Sequence, residues 1–373
     1  MSWTVHLEGG PKKVNHAAAS VGDLIYSFGG YCSTEDFENI KLPIPVYILN
    51  TETLRWSLIN HGDKECPHQR YGHTVVPYHE KIYMWGGRDN SIAFRNLCYF
   101  DTLSQDWVVP QTIGRTPHPV DGHSSCIIND VMYVFGGFEN FSVEYSSEVH
   151  TLDLTTLKWS YLSTSGVPPS PRDFHSATAI GTRMYVFGGR SSIGMDDAVY
   201  SPRIHYLDTT TKQWHSPETH GDIPKGRRSH SAWLYKDELY VFGGYNGKSE
   251  QHFNDLFKFN PTSCIWTRLN LPGKIPCQRR RQCSILVKDK IYLFGGTGPD
   301  PHSRDINDLI DKSDLHVLDY SPSLKTLCIL SVLKYNFNQK DLPRDIVGDI
   351  QDMTLPNQIS RLTENQSVTF EIK

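Results

Sequence analysis

The hexapeptide MYVFGG fills residues 132–137 and recurs letter for letter at 184–189. Looser copies read IYSFGG at 25–30, IYMWGG at 82–87, LYVFGG at 239–244 and IYLFGG at 291–296. Their second glycines (Gly30, Gly87, Gly137, Gly189, Gly244 and Gly296) are 57, 50, 52, 55 and 52 residues apart. A period near fifty marks an array of supersecondary units. Each unit repeats further signals. A histidine precedes the glycine pair (His16, His73, His123, His175, His230), with Gln282 in its place in the sixth unit. After the pair come a variable loop, an apolar run ending in Asp or Asn such as VYILN or IHYLD, and a tryptophan: Trp56, Trp107, Trp159, Trp214, Trp266.

The apolar runs are short, rich in Val, Ile, Tyr, Phe and Trp, and bounded by Gly, Asp, Asn and Pro, which is the signature of strands. The run before each glycine pair is apolar without alternation, so both faces of that strand are expected to be buried. A four-stranded unit cannot bury two faces alone. Stacking six of them around an axis does so and leaves few open edges. The expected fold is all-β, a six-bladed propeller. Six glycine pairs are followed by only five tryptophans, because the sixth unit runs LHVLDYSPSLKTLC. The missing one stands at the other end, in MSWTVHL, so residues 3–7 are expected to supply the last strand of the sixth blade and close the ring.

Composition narrows the function. The formal net charge of −4 gives no general case for nucleic acid or membrane binding. No apolar stretch approaches the length of a membrane span. The N-terminus reads as a strand rather than a signal peptide, and the eight cysteines form no CxxC, which suits reduced thiols in the cytoplasm or nucleus. No G-x-S-x-G, H-E-x-x-H or P-loop is present, and His79, His118, His205 and His220 lack ligand spacing. A non-catalytic protein without metal or cofactor is expected, with the repeated histidines hydrogen-bonded within blades.

The pattern resembles the kelch repeat over residues 3–319. Segments such as WTVHLEGGP, YSFGGYC, RDFHSAT and FGGYN resemble more closely a small group of kelch proteins that act as substrate receptors of cullin-2 RING ubiquitin ligases. That resemblance implies binding of proteins that end in glycine. A plain kelch scaffold, cytoskeletal or chromatin-associated, is the competing reading.

The loop after each glycine pair and the loop before the next histidine emerge on one face. The first set offers Tyr31, Arg88, Phe138, Arg190 and Tyr245; the second offers Arg70, Arg172, Arg227, Arg228, Arg279, Arg280 and Arg281. Arginine forks match carboxylate or phosphate, and a peptide's terminal carboxylate is one such group. Arg70, Arg172, Arg227 and Arg279 recur at one place in the repeat, which favours a structural role. Arg190, Arg228, Arg280 and Arg281 fall outside it and are the better binding candidates, with Tyr31, Arg88, Phe138 and Tyr245 as pocket walls. The receptor group implies a carboxylate anchor of two arginines and a serine. Arg190 matches the first, Arg203 is the arginine available in the following loop, and the serine's place falls at Arg228 with Ser229 beside it.

After the repeats, Leu324, Cys328 and Val332 are four apart and share one face of a helix. Ser323, Leu324, Cys328 and Val332 resemble the box that receptors present to elongin C, which pairs with elongin B. Leu342, Pro343, Ile346 and, one residue out of register, Ile350 resemble the cullin-2 box. Residues 320–350 are therefore expected to form a helical partner-binding segment, and the polar residues 351–373 a mobile tail.

Overall fold

The computed structural model describes residues 1–34, 42–60, 66–193, 197–305, 307–340 and 342–362. Six antiparallel blades surround a central axis. Blade one contains Ala17–Val21, Leu24–Phe28, Val46–Asn50 and Arg55–Ile59; blade two Tyr71–Tyr78, Lys81–Arg88, Cys98–Asp101 and Asp106–Val108. Blade three contains Ser124–Ile128, Val131–Phe135, Val149–Asp153 and Lys158–Tyr161; blade four Asp173–Ile180, Arg183–Ile193, Ile204–Asp208 and Gln213–His215. Blade five contains Ser231–Tyr235, Glu238–Phe242, Leu256–Asn260 and Ile265–Leu269. In blade six, Cys283–Val287, Lys290–Phe294 and Leu315–Asp319 are completed by Ser2–Leu7 from the N-terminus, antiparallel to Leu315–Asp319. Trp3, 3% exposed, joins Trp233, Tyr235 and Phe242 of blade five in one apolar cluster. The two ends of the repeat thus mend each other, as the tryptophan count requires.

The repeated hexapeptide forms the strand walled in by both neighbouring blades. Phe135 and Phe187 have no exposure, and each packs against the tryptophan of the next blade, Trp214 and Trp266, with ring centroids 5.1 Å apart. The glycine pairs link blades through their backbone. The second glycines donate N–H to the carbonyl of the repeated arginine in the following blade: Gly30 to Arg70, Gly137 to Arg172, Gly189 to Arg227 and Gly244 to Arg279. The repeated histidines also join neighbours, which corrects the expectation of bonds within blades. Nε2 of His123, His175 and His230 meets Thr74, Ser124 and Ser176 of the preceding blade at 2.9, 2.7 and 2.9 Å.

At the axis a closed ring of backbone hydrogen bonds ties all six blades together. Gly72 N–H donates to Asn15, Gly122 to Gly72, Phe174 to Gly122, Ser229 to Phe174, Arg281 to Ser229 and Asn15 to Arg281, over 2.6–3.2 Å. All six residues have left-handed backbone, φ +50 to +69°.

Two helices follow the last blade, α1 (Leu324–Tyr335) and α2 (Arg344–Thr354). They lie over the turn side of blades six and one, where Thr51, Leu54 and Lys290 face Ile329 and Met353 across a cavity of about 180 Å³. The region beyond residue 350 departs from expectation. α2 runs on to Thr354, and Ser360–Leu362 adds a strand parallel to Arg55–Ile59 of blade one. Asn357, 5% exposed, explains the docking: its N–H donates to Glu8 O at 2.7 Å, and its side-chain oxygen accepts from Trp56 N–H at 3.2 Å. The expected mobile tail is therefore tied to the ring through Leu362; its remainder, 363–373, lies outside the described residues. Among the described residues no helix is long and apolar enough to cross a membrane.

Candidate functional site: an arginine cluster at the mouth of the ring

The face opposite the helices carries both loop sets picked out above. Arg70, Arg172, Arg227 and Arg279 are buried there as brackets. In each, Nε donates to the carbonyl two residues earlier, and Nη1 to the carbonyl of the first glycine of its own blade's pair (Gly86, Gly188, Gly243, Gly295). Arg227 and Arg279 also hold Asp255 and Asp314 with both Nη groups.

The arginines outside the repeat behave differently. Arg228 and Arg280 converge on Tyr245, their guanidinium carbons 5.7 and 4.3 Å from the ring centre. Arg281 donates to the Tyr31 hydroxyl and stands 5.6 Å from the Phe174 ring. Arg190 forms a two-point ion pair with Asp173 (2.5 and 3.2 Å) and lies 5.4 Å from the Tyr145 ring. Nε of Arg228, Arg280 and Arg281 is buried without a hydrogen-bond partner. Such groups are costly to leave unsatisfied. Burial, then repulsion from Arg190 and Arg281, lowers the Arg228 pKa; burial, then Arg281 and Arg228, brings Arg280 down to about 10. Four guanidinium groups therefore crowd together with Asp173 as the one carboxylate ion-paired to them among the described residues. The cluster adjoins a cavity of about 120 Å³ at the axis, lined by Phe174, Ser229, Arg281 and the histidine ring. Such an arrangement can accept an anion with several oxygens.

Residues 15–143 and 78–296 match the model of the KLHDC2/KLHL20/DRC7 Kelch-repeats domain. Human Kelch domain-containing protein 3 is 47% identical over 97% of this chain and 98% of its own length. The chain belongs to the kelch-repeat family. The rat protein of the same name is 46% identical over the same shares, and the host cell factor of Drosophila melanogaster is 27% identical over 67% of this chain and 18% of its own length. Among solved structures, YjhT superimposes with a TM-score of 0.61 over 82% of this chain and 99% of its own; at 16% identity that likeness concerns the fold alone.

Within this kelch propeller the sequence-predicted residues divide. Arg190, Arg228, Arg280, Arg281, Tyr31 and Tyr245 come together. Ser229 joins them through the axial ring. Arg88 sits further round the mouth, bonded to Asn140 at 2.7 Å, and Phe138 packs on Tyr145. Arg203 stays outside the cluster: its side chain is exposed, and its backbone N–H donates to Ser201 Oγ. Asp173, Tyr145, Phe174 and Tyr200 were not picked out in the sequence. Only Asp173 left a trace there, as the acid beside a repeated arginine.

On the opposite face Ser323 caps α1 by accepting from Thr326 N–H. Leu324 (78% exposed), Leu327 (46%), Cys328 and Tyr335 form an outward apolar edge, while Ile329 packs inward. Val332 is partly covered. Lys325 ties α1 to α2 through Asp345 and Asp349. Pro343 stands at the N-cap of α2 and is exposed, Leu342 and Ile346 are half-buried, and Ile350 is buried.

Proposed function

We propose that this kelch propeller is a non-catalytic substrate receptor of a cullin-2 RING ubiquitin ligase, working in the cytoplasm and nucleus. Its arginine mouth holds the terminal carboxylate of proteins ending in glycine, and α1 engages elongin C. The observation that carries the reading is the cluster itself: four guanidinium groups with one ion-paired carboxylate among the described residues, and three buried Nε–H donors lacking acceptors. A carboxylate supplies the missing charge and acceptors, and a residue without a side chain lets that carboxylate reach the narrow axis. The ligase assignment draws on the α1 edge. An exposed Leu324–Leu327–Cys328 row at helical spacing is a groove-seeking surface, and it faces away from the mouth, so both ends can be occupied at once.

Capture of purified elongin B–elongin C by the full chain tests the ligase half. Leu324→Ala and Cys328→Phe lie on the surface and leave folding intact; each is expected to lower capture at least tenfold, as for an interface anchor. Undiminished capture by both variants excludes α1 as the docking element.

A further inference from the structure

The loop after the glycine pair of blade four has its return limb fastened to blade five. The fastener is Tyr200. Its carbonyl lies 1.9 Å from where a Cβ on Gly226 would stand, and its hydroxyl 2.5 Å from where one on Gly247 would stand. Neither glycine belongs to the repeated pairs; both are small so that Tyr200 can seat. Tyr200 is also within electrostatic reach of Arg190 and Arg228. Beyond it opens a groove of about 530 Å³ floored by Pro202, Ile223 and Pro224 and flanked by Lys225 and Lys248. Ile223 is 45% exposed there, and both lysines are at the surface.

We infer that this groove is a second subsite, occupied by the stretch that precedes the bound chain end and selective for apolar and acidic side chains in it. The inference rests on the carboxylate-holding mouth proposed above. A peptide whose end lies among Arg190, Arg228 and Arg280 has to leave the mouth over some part of the rim, and Tyr200 joins the arginine cluster to a prepared channel. The channel's chemistry sets the preference. Pro202, Pro224 and Ile223 offer apolar contact, the prolines without a backbone donor to satisfy, and the two lysines complement carboxylates and repel cations.

Calorimetric titration of the full-length protein with synthetic peptides decides the matter. A tetrapeptide ending in Gly reads the mouth alone. Dodecapeptides with the same last four residues carry either Glu and Leu or Lys and Ser upstream. The acidic–apolar dodecapeptide is expected to bind about fivefold or more tightly than the tetrapeptide, and the lysine version no better than the tetrapeptide. Lys225→Glu with Lys248→Glu is expected to reverse the order of the two long peptides and leave the tetrapeptide unchanged. Equal affinities for all three, or an order that the double substitution does not move, overturn the subsite while the mouth stands. A tetrapeptide and dodecapeptides that all fail to bind overturn both.

Discussion

Two sets of four arginines share one face of this propeller, and they have opposite environments. Arg70, Arg172, Arg227 and Arg279 recur in register, are 0–4% exposed, and spend their donors on carbonyls of their own blades. Arg190, Arg228, Arg280 and Arg281 each lie outside that shared position, remain partly accessible, lean on aromatic rings and repel one another. The first set is part of the ring's construction. The second places like charges together with too few acceptors, an arrangement that the anionic ligand proposed above would relieve.

Substitution separates the two sets most sharply. Arg279→Ala leaves Asp314 buried without the guanidinium that, together with His316, holds its carboxyl far below the usual range despite burial. A loss of about 3–5 kcal/mol is expected in urea denaturation. Arg228→Ala removes a cation from a repulsive cluster and is expected to change stability by less than about 1 kcal/mol in either direction. Equal damage from both would erase the distinction.

The repeated histidines give a smaller effect with a definite sign. Burial lowers His16 and His230 to about 3 and His123 to about 4, and takes His73 and His175 well below the ordinary value. The unfolded chain takes up protons near pH 6.5 that the folded His16, His123 and His230 refuse until about pH 3 to 4. Stability therefore falls as pH drops below about 6.5, by up to about 1.4 kcal/mol per unit for each histidine. Blade six carries Gln282 at this place. His230→Gln is expected to remove one histidine's share of the slope when stability is measured between pH 7 and 5; an unchanged slope would show that His230 titrates alike in both states.

Much of the fold was legible because it is written in side chains at fixed intervals: strand after strand of apolar residues, six glycine pairs, and a tryptophan missing at one end and present at the other. The axial ring was not legible. It is a backbone device, and its six positions carry Asn, Gly, Gly, Phe, Ser and Arg, with nothing in common except φ. The strand Ser360–Leu362 escaped notice because three residues show no alternation and their anchor is one asparagine. In the site, the arginines outside the period were found by subtraction. Their partners were not: Asp173 lies across the same blade-four hairpin from Arg190, Tyr145 reaches it from blade three, and Arg203 lies near it in sequence yet is exposed.

The direct measurement is titration of the protein with a peptide ending in free glycine, alongside the same peptide amidated. The arginine cluster predicts that amidation weakens binding at least a hundredfold, since it removes the charge that answers the half-buried guanidinium groups, and that Arg228→Ala weakens the free acid comparably. Equal affinity of acid and amide for the unaltered protein would contradict it.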